Sequence, residues 1–199
     1  MISPRPGRPR SEASRRSILD ATSRLIVEHG YENLTLGEVA TSAGVGKQTL
    51  YRWWPSKAAL VADCVLEDSL AFTPVTVSAS GDALAAIHSW LSDSYSRMSQ
   101  PGQAELFRGL TAAASSDESV RARLDERFSG PLIDGIDAAL QSGIAAGDIR
   151  ADVTTGALAR VLLGAMVFTL LQHRTEDASW VDELMTTVSV GIRTHEGRE

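Results

Sequence analysis

The sequence predicts an all-α fold, with a small N-terminal group of helices followed by a larger helical body. Apolar residues recur at three- and four-residue intervals along most of the chain, which indicates amphipathic helices. Glycine or proline ends most of these runs, as is usual where helices stop. Hydrophobic residues make up 43% and charged residues 22% of the chain, which excludes wholesale disorder, collagen-like repeats and a coiled-coil rod.

The charge of the chain is distributed unevenly between these two parts. Residues 1–57 carry nine basic and five acidic side chains, a net charge of +4, whereas residues 58–199 carry ten and twenty, a net charge of −10. A basic head on an acidic body is typical of a nucleic-acid-binding module joined to a module that does not bind nucleic acid. Chance clustering of charge is the alternative.

The cysteine content and the apolar runs indicate the compartment. The single cysteine, Cys64, excludes an intramolecular disulfide and a zinc–thiolate cluster, and we expect it to be a small core hydrophobe in a cytoplasmic protein. No apolar stretch follows the N-terminal arginines, so no signal peptide is expected. The most apolar run, residues 157–171, is shorter than the roughly 20 residues of a membrane span, so no membrane partner is expected.

The N-terminal part begins with residues 1–10, which are predicted to form a flexible basic arm because prolines and a glycine oppose a helix. The arm either follows a DNA minor groove or is a disordered tail that adds diffuse attraction. From Ser11 the pattern is helical, since Ile18, Leu25 and Ile26 fall on one face, and Gly30 is expected to end this first helix.

A pair of short helices follows. Thr35 and Glu38 form a capping-box pattern, which marks the start of a short second helix. Ala43-Gly44-Val45-Gly46 interrupts that helix, and Gly44 can adopt the left-handed conformation of a tight turn. A third helix then runs from Lys47 to Trp54, and Ser56 can cap a fourth. Two short helices joined by a glycine-containing turn are the helix-turn-helix arrangement, so residues 11–72 are predicted to be a DNA-binding domain.

The outward face of the third helix supplies the groups that bind DNA. Cationic, hydroxyl and amide side chains reach base edges and phosphates in a major groove, and this face carries such groups at Lys47, Gln48, Thr49, Tyr51 and Arg52.

The head resembles the DNA-binding domain of TetR-type (TetR/AcrR) transcriptional regulators. The resemblance lies in Leu34-Thr35-Leu36, Ala43-Gly44-Val45, Thr49-Leu50-Tyr51 and the run Trp54-Pro55-Ser56-Lys57-Ala58-Ala59-Leu60. It implies a three-helix helix-turn-helix head, followed by a larger helical body, at residues 82–199, that binds a ligand and forms a homodimer. It also implies double-stranded DNA as the partner.

The resemblance implies a role for each matching residue. Lys47 and Gln48 would face bases, and Tyr51 would contact the backbone or a base edge. Thr49, Arg52 and Trp53 would lie against phosphate, Lys57 would neutralise a phosphate, and Thr35 would cap the second helix and present its hydroxyl or amide to phosphate. Tyr51 could instead pack against the head, and Lys57 could be only a solvated lysine at a helix start. Gly37 departs from the family pattern, because many relatives carry a longer side chain there that can reach a base.

The body is predicted to be helical after a linker at residues 73–81. Its predicted helices span residues 82–98, 103–114, 117–144 with a kink at Gly130-Pro131, 154–173 and 180–193. The helix at 154–173 is apolar on both sides, which suggests a subunit interface formed by the last two helices. The predicted interface residues are Leu158, Leu162, Ala165, Leu184 and Val188. The alternative is that this surface is the core of the body.

TetR-type bodies usually hold a pocket for an effector, so the resemblance implies one here. The candidate lining residues are Trp90, Tyr95, Met98, Phe107, Arg108, Leu110, Phe128, Met166 and Phe168, with His88 and His173 as further polar anchors. An apolar pocket of this kind suits a small hydrophobic effector. The alternative is that each of these residues is plain core, as such residues more often are. The predicted function is therefore a ligand-responsive regulator, most simply a repressor, that binds a palindromic operator. A DNA-binding protein without an effector is the alternative.

Enzyme activity is not expected. The four histidines, His29, His88, His173 and His195, have no metal-ligand spacing, and the chain has no phosphate-cradling glycine motif and no nucleophile elbow. No metal or other cofactor is therefore expected.

Overall fold

The predicted all-α class is confirmed. The structure, a computed structural model, describes residues 8–68, 82–172 and 179–193, and within these ranges it contains ten α-helices and no β-strand. The helices are α1 (Arg8–Asn33), α2 (Leu36–Ser42), α3 (Lys47–Trp53), α4 (Lys57–Asp68), α5 (Ala83–Met98), α6 (Gln103–Ser116), α7 (Glu118–Leu124), α8 (Gly130–Ala146), α9 (Thr155–Leu171) and α10 (Ser179–Ile192).

The described residues divide into two compact units. The first contains residues 8–68 and 105–124, and the second contains residues 82–104, 125–172 and 179–193. The segment 105–124, which holds most of α6 and all of α7, therefore packs with the N-terminal helices rather than with the rest of the predicted body. The predicted arm up to residue 7 and the predicted linker at 73–81 lie outside the described residues, as do His173 and His195.

The first unit is built around the apolar face of α1. Ile18 and Ile26 are fully buried there, in one core with Val39 of α2, Leu50 of α3 and Leu60 of α4. The backbone of Gly30 leaves the helical conformation at φ +75°, so α1 is interrupted where its end was predicted, and a short helical segment continues to Asn33. The helix begins at Arg8, three residues before its predicted start.

Segment 105–124 joins the core of the first unit through a close helix contact. A Cβ added to Gly109 of α6 would lie 3.3 Å from Cγ2 of Ile26 in α1, so the missing side chain lets the two helices approach. Leu106, Leu110 and Val120 are buried in the same core. Sequence periodicity identified these helices but not the neighbour against which they pack.

In the second unit, α5 starts at a well-made cap. The Asp82 Oδ1 atom accepts hydrogen bonds from the backbone N–H groups of Leu84 (2.8 Å) and Ala85 (3.2 Å), and the Arg193 guanidinium donates to Oδ2 (3.3 Å). Burial raises the pKa of the Asp82 carboxyl, but these hydrogen bonds and the charge of Arg193 outweigh that effect, so the pKa lies below its ordinary value.

The predicted long helix at 117–144 is interrupted earlier than expected. A π-helical turn at Asp125–Ser129 separates α7 from α8, whereas the kink was predicted at Gly130-Pro131. A Cβ at Gly130 would lie 2.9 Å from the carbonyl oxygen of Asp125, so only glycine fits the end of this wider turn. At the other end of α8, Gly147 adopts φ +86° and closes the helix as predicted.

Candidate nucleic-acid interface

The start of α2 is fixed by Thr35 and Glu38. The Thr35 Oγ1 atom accepts a hydrogen bond from the Glu38 backbone N–H (3.2 Å), and the Thr35 backbone N–H donates to Glu38 Oε2 at the same distance. The predicted capping box is confirmed, so α2 has a defined first turn.

The turn between α2 and α3 is equally well defined. The Val45 N–H donates to the Ala40 carbonyl (2.9 Å) and the Gly44 N–H donates to the Thr41 carbonyl (3.1 Å), which together form a Schellman motif. Gly44 adopts φ +67°, as predicted. Because this turn satisfies the last carbonyls of α2, it fixes the direction in which α3 leaves.

The two faces of α3 differ in burial. Leu50 is fully buried, and Trp54, which caps the end of the helix, is 2% exposed. The opposite face exposes side chains at Lys47, Gln48, Tyr51 and Arg52, with Thr49 half-buried beside them. Tyr51 is 54% exposed, so it does not pack inside the head. The predicted DNA-reading face is therefore a solvent-accessible surface within the described chain.

The two tryptophans at the end of α3 have different partners. The Trp54 Nε1 atom donates to Asp63 Oδ2 of α4 (2.7 Å), which confirms the expected core position of Trp54. Trp53 stacks on Trp54 with 5.9 Å between ring centroids. The Trp53 Nε1 atom is shielded from solvent and meets no acceptor among the described residues, so a phosphate contact through this atom requires the side chain to move.

Lys57, at the start of α4, is not simply solvated. Its Nζ atom donates to the carbonyls of Tyr31 (2.9 Å) and Glu32 (3.3 Å) and lies 4.3 Å from the centroid of the Tyr31 ring. These contacts hold the segment that follows Gly30 against α4. An ammonium group has three N–H donors and the described residues engage two, so one is left for a phosphate.

Gly37 makes room for Lys47. A Cβ added to Gly37 would lie 3.4 Å from both Cε and Nζ of Lys47. The lysine therefore occupies the space that a longer side chain at position 37 would enter. The departure of Gly37 from the family pattern and the placement of Lys47 are consequently linked.

A set of ionic contacts around Asp63 was not predicted from the sequence. Its Oδ1 atom accepts from Nη2 of Arg123 (2.6 Å), and Nη2 of Arg15 lies 4.0 Å from Oδ2. Arg123 belongs to α7 and is 60 residues away in sequence. No local pattern connects residues so far apart, and only the packing of residues 105–124 into this unit reveals the contact.

The nine candidate pocket residues are divided between the two units. Five are buried in the second unit: Trp90, Tyr95, Met98, Phe128 and Met166. Phe107, Arg108 and Leu110 belong to the first unit, where Leu110 is part of the core and Arg108 pairs with Glu105. Phe168 is 64% exposed on α9, so it is a surface residue of the chain rather than an interior one.

The candidate interface residues also divide. Leu158 and Ala165 lie half-buried on the outer side of α9, in a stripe with the exposed Val161 and Phe168. On α10, Leu184 and Val188 are half-buried. Leu162 was wrongly placed in this set: it is fully buried within its own chain, because the helical period turns it inward beside Ala159 and Met166.

The second unit also carries a groove that the sequence did not predict. It lies between α5 and α10, has a volume of about 770 Å³, and is bounded by the pairs Asp82–Arg193 (3.3 Å) and His88–Asp182 (2.6 Å). Of the predicted pocket residues and polar anchors, it contains only His88.

Within the described parts of the chain, no group of three or more His, Cys, Asp or Glu residues is arranged to hold a metal ion. No helix in these ranges has both the length and the apolar character required to cross a membrane.

Comparison with known proteins agrees with this geometry. Residues 18–64 match the family model described as bacterial regulatory proteins of the tetR family, and residues 77–188 match the tetracyclin repressor-like C-terminal domain. The chain is 30% identical, over 192 residues, to the HTH-type transcriptional regulator Rv1556 of Mycobacterium tuberculosis. The matched region covers 94% of this chain and 92% of that protein. It is 23% identical over 168 residues to the DNA-binding transcriptional repressor TetR of Mycobacteroides abscessus, covering 83% of each.

The fold is shared with solved structures. A TetR transcriptional regulator from Agrobacterium tumefaciens superposes with a TM-score of 0.70 at 18% identity, covering 92% of this chain and 96% of that one. The matched relatives are transcriptional regulators and not enzymes.

Proposed function

We propose a specific role for this chain, which belongs to the TetR family of DNA-binding transcriptional regulators. In this proposal the protein is a repressor that binds a palindromic operator as a homodimer and is released by a small hydrophobic effector. The observation that carries the proposal is the exposed face of α3, held outward by the capped start of α2 and the Schellman turn. Repression is the sign of regulation stated for the M. abscessus relative.

The exposed residues of the head suit distinct roles on DNA. Lys47 and Gln48, in the first turn of α3, are proposed to read bases, and Tyr51 to contact the backbone or a base edge. Thr49, Arg52 and Trp53 are proposed to lie against phosphates. The same role is proposed for Thr35 and for the remaining donor of Lys57.

A homodimer is supported by the outer stripe of α9. Val161 and Phe168 expose 58% and 64% of their surfaces in the single chain, and Leu158 and Ala165 complete the stripe. A Cβ added to Gly164 would meet no neighbour, so a partner backbone can approach closely. Exposed large apolar residues on one helix face are typical of a subunit interface. Leu184 and Val188 of α10 are proposed to extend this interface.

The effector is proposed to bind among the buried apolar residues of the second unit. Of the predicted lining residues, Trp90, Tyr95, Met98, Phe128 and Met166 belong to that unit. Tyr95 makes an edge-to-face contact with Trp180 at 5.2 Å between centroids, so this buried set is rich in aromatic side chains, which suit an apolar ligand. An effector releases DNA only if it prefers the conformer that does not bind DNA, and DNA must weaken effector binding by the same factor.

Selection of binding sites from random duplexes by the purified full-length protein tests the proposal. We expect an inverted repeat whose half-sites are about 34–36 Å apart, or a multiple of that spacing. The double variant K47A/Q48A is the matched control, and it should lose sequence preference while retaining salt-dependent binding. Recovery of no consensus, or of a single unrepeated site, would contradict a dimer on a palindrome.

The effector part of the proposal needs its own test. The selected duplex carries a fluorophore, and small apolar compounds are titrated into the preformed complex while anisotropy is followed. Release of DNA by a compound supports a small-molecule effector. If no compound releases DNA, the alternative of a DNA-binding protein without an effector is favoured.

A further inference from the structure

The carboxylate of Asp63 joins four elements of the first unit. Its Oδ2 atom accepts from the indole of Trp54 (2.7 Å), at the end of α3, and its Oδ1 atom accepts from Arg123 (2.6 Å) of α7. The guanidinium of Arg15 in α1 lies 4.0 Å from Oδ2 and 5.9 Å from the centroid of the Trp54 ring. One acidic side chain on α4 is therefore in contact with α1, α7 and the end of α3.

We infer that Asp63 and Arg123 are positioning residues for operator binding, acting on α3 through Trp54. The inference rests on the proposed role of α3 in reading DNA. Arg123 lies far in sequence from the helix-turn-helix, and it is not among the residues for which a DNA contact is proposed.

The structure of α3 explains why such positioning is needed. The helix has seven residues, and its N-cap, Gly46, provides no side-chain hydrogen bond. An isolated helix of this length does not persist in water, so its direction depends on tertiary contacts. Leu50 and Trp54 supply these contacts on the buried side, and of the two only Trp54 has a polar atom that can be fixed in direction.

The two oxygens of Asp63 are used by different donors. Arg123 engages one oxygen and so orients the carboxylate plane, which leaves the other oxygen facing the indole N–H. Charge-assisted hydrogen bonds of this kind are shorter and stronger than neutral ones. Because the Asp63 side chain is only 21% exposed, solvent screens the pair less than it would a surface pair. Without Arg123, Arg15 is the remaining described cation near the carboxylate.

Loss of this orientation should appear as a change in DNA affinity. If α3 occupies its DNA-competent direction for a smaller fraction of the time, the apparent Kd rises in inverse proportion to that fraction. The contacts of α3 with DNA are unchanged once the complex forms. Base preference and the dependence of Kd on salt should therefore stay as in the wild type.

The experiment compares Arg123→Gln with Arg121→Gln in the full-length protein on the selected operator. Arg121 is the matched control, because it lies on the same helix, is 64% exposed and pairs with Glu118 within α7. We expect Arg123→Gln to raise Kd about tenfold with an unchanged salt slope, and Arg121→Gln to change Kd less than twofold. Arg123→Lys should recover part of the loss, since it keeps the charge but not the planar fork.

A double-mutant cycle checks that Asp63 and Arg123 act together. The double variant D63N/R123Q should bind no more weakly than the worse of the two single variants. Trp54→Phe should also raise Kd, because it removes the indole donor and keeps a buried ring. Melting temperature is recorded for every variant.

Several results would overturn the inference. A lower melting temperature with unchanged Kd would mean that the pair only stabilises the fold. A fall in salt slope of about 0.9 for Arg123→Gln would mean a direct phosphate contact instead of positioning. Additive losses in the cycle would mean two independent effects. If the wild type binds no duplex, the proposed function fails and this inference with it, whereas equal binding by wild type and Arg123→Gln removes the inference alone.

Discussion

Truncation of Phe168 to alanine tests the proposed subunit interface. The side chain is 64% exposed in the single chain, and about 200 Å² is typical of a buried aromatic side chain, so burial against a partner would remove about 130 Å² from water. At about 25 cal/mol per Å² this area contributes about 3 kcal/mol per subunit, of which we expect alanine to retain about one third. Two-fold symmetry applies the loss twice, about 4 kcal/mol in total, which raises the dimer Kd about a thousandfold.

Analytical ultracentrifugation over a range of protein concentrations measures this dimer Kd directly. The control is Ser89→Ala, which changes an exposed residue of α5 outside the proposed interface and should leave the monomer–dimer equilibrium unchanged. Circular dichroism should show wild-type helix content in both variants, because Phe168 is not part of the core. A Phe168→Ala variant whose dimer Kd equals that of the wild type would refute the assignment of this stripe to the interface.

Three further predictions concern the head and the start of α5. Lys47→Ala should cost about 1–3 kcal/mol in operator binding and relax the preference at one base pair. Lys57→Ala should weaken binding to all duplexes alike, reduce the salt slope by about 0.9 and lower the melting temperature. Similar behaviour of the two variants would contradict these roles. Gly37→Gln should displace the Lys47 side chain and change the selected base at that position without lowering the melting temperature, because glutamine favours helix over glycine. Asp82→Ala should cost about 1 kcal/mol in unfolding free energy at neutral pH. Because the pKa of Asp82 is lowered in the folded protein, the difference in unfolding free energy between wild type and Asp82→Ala should be constant above about pH 4. It should shrink as the pH falls further, as measured by urea unfolding.

The features of the head that depend on neighbours in sequence were predictable. The capping box of Thr35, the left-handed Gly44 and the Ser56 side chain that accepts from the Ala59 N–H (3.0 Å) all involve residues within a few positions of each other. The exposed face of α3 followed from the helical period and the apolar character of Leu50. Local chemistry and a 3.6-residue period were therefore sufficient to identify the exposed face of α3.

Features that depend on long-range packing were not predictable. The Asp63–Arg123 pair requires residues 105–124 to pack with the head, and an arginine in an ordinary amphipathic helix does not indicate this. Phe168, a predicted pocket residue, is exposed, and Leu162, a predicted interface residue, is buried, because α9 is apolar nearly all round and its sequence does not show which face is inward. The π-helical turn at Asp125–Ser129 was missed because it precedes the glycine and proline that signal a break.

Helix α3 and its C-terminal cap contain two sets of residues whose substitution should affect DNA binding in different ways. Lys47, Gln48 and Tyr51 face outward and make few contacts that stabilise the head, so substitutions there should change which bases are preferred while stability is kept. Trp54 faces inward and, with Asp63, fixes the direction of the helix, so substitutions there should change affinity for all operators alike. A seven-residue helix cannot hold its direction alone, so Trp54 and Asp63 must stay intact for α3 to keep its position. While they do, substitution of Lys47, Gln48 or Tyr51 should alter operator preference without loss of folding.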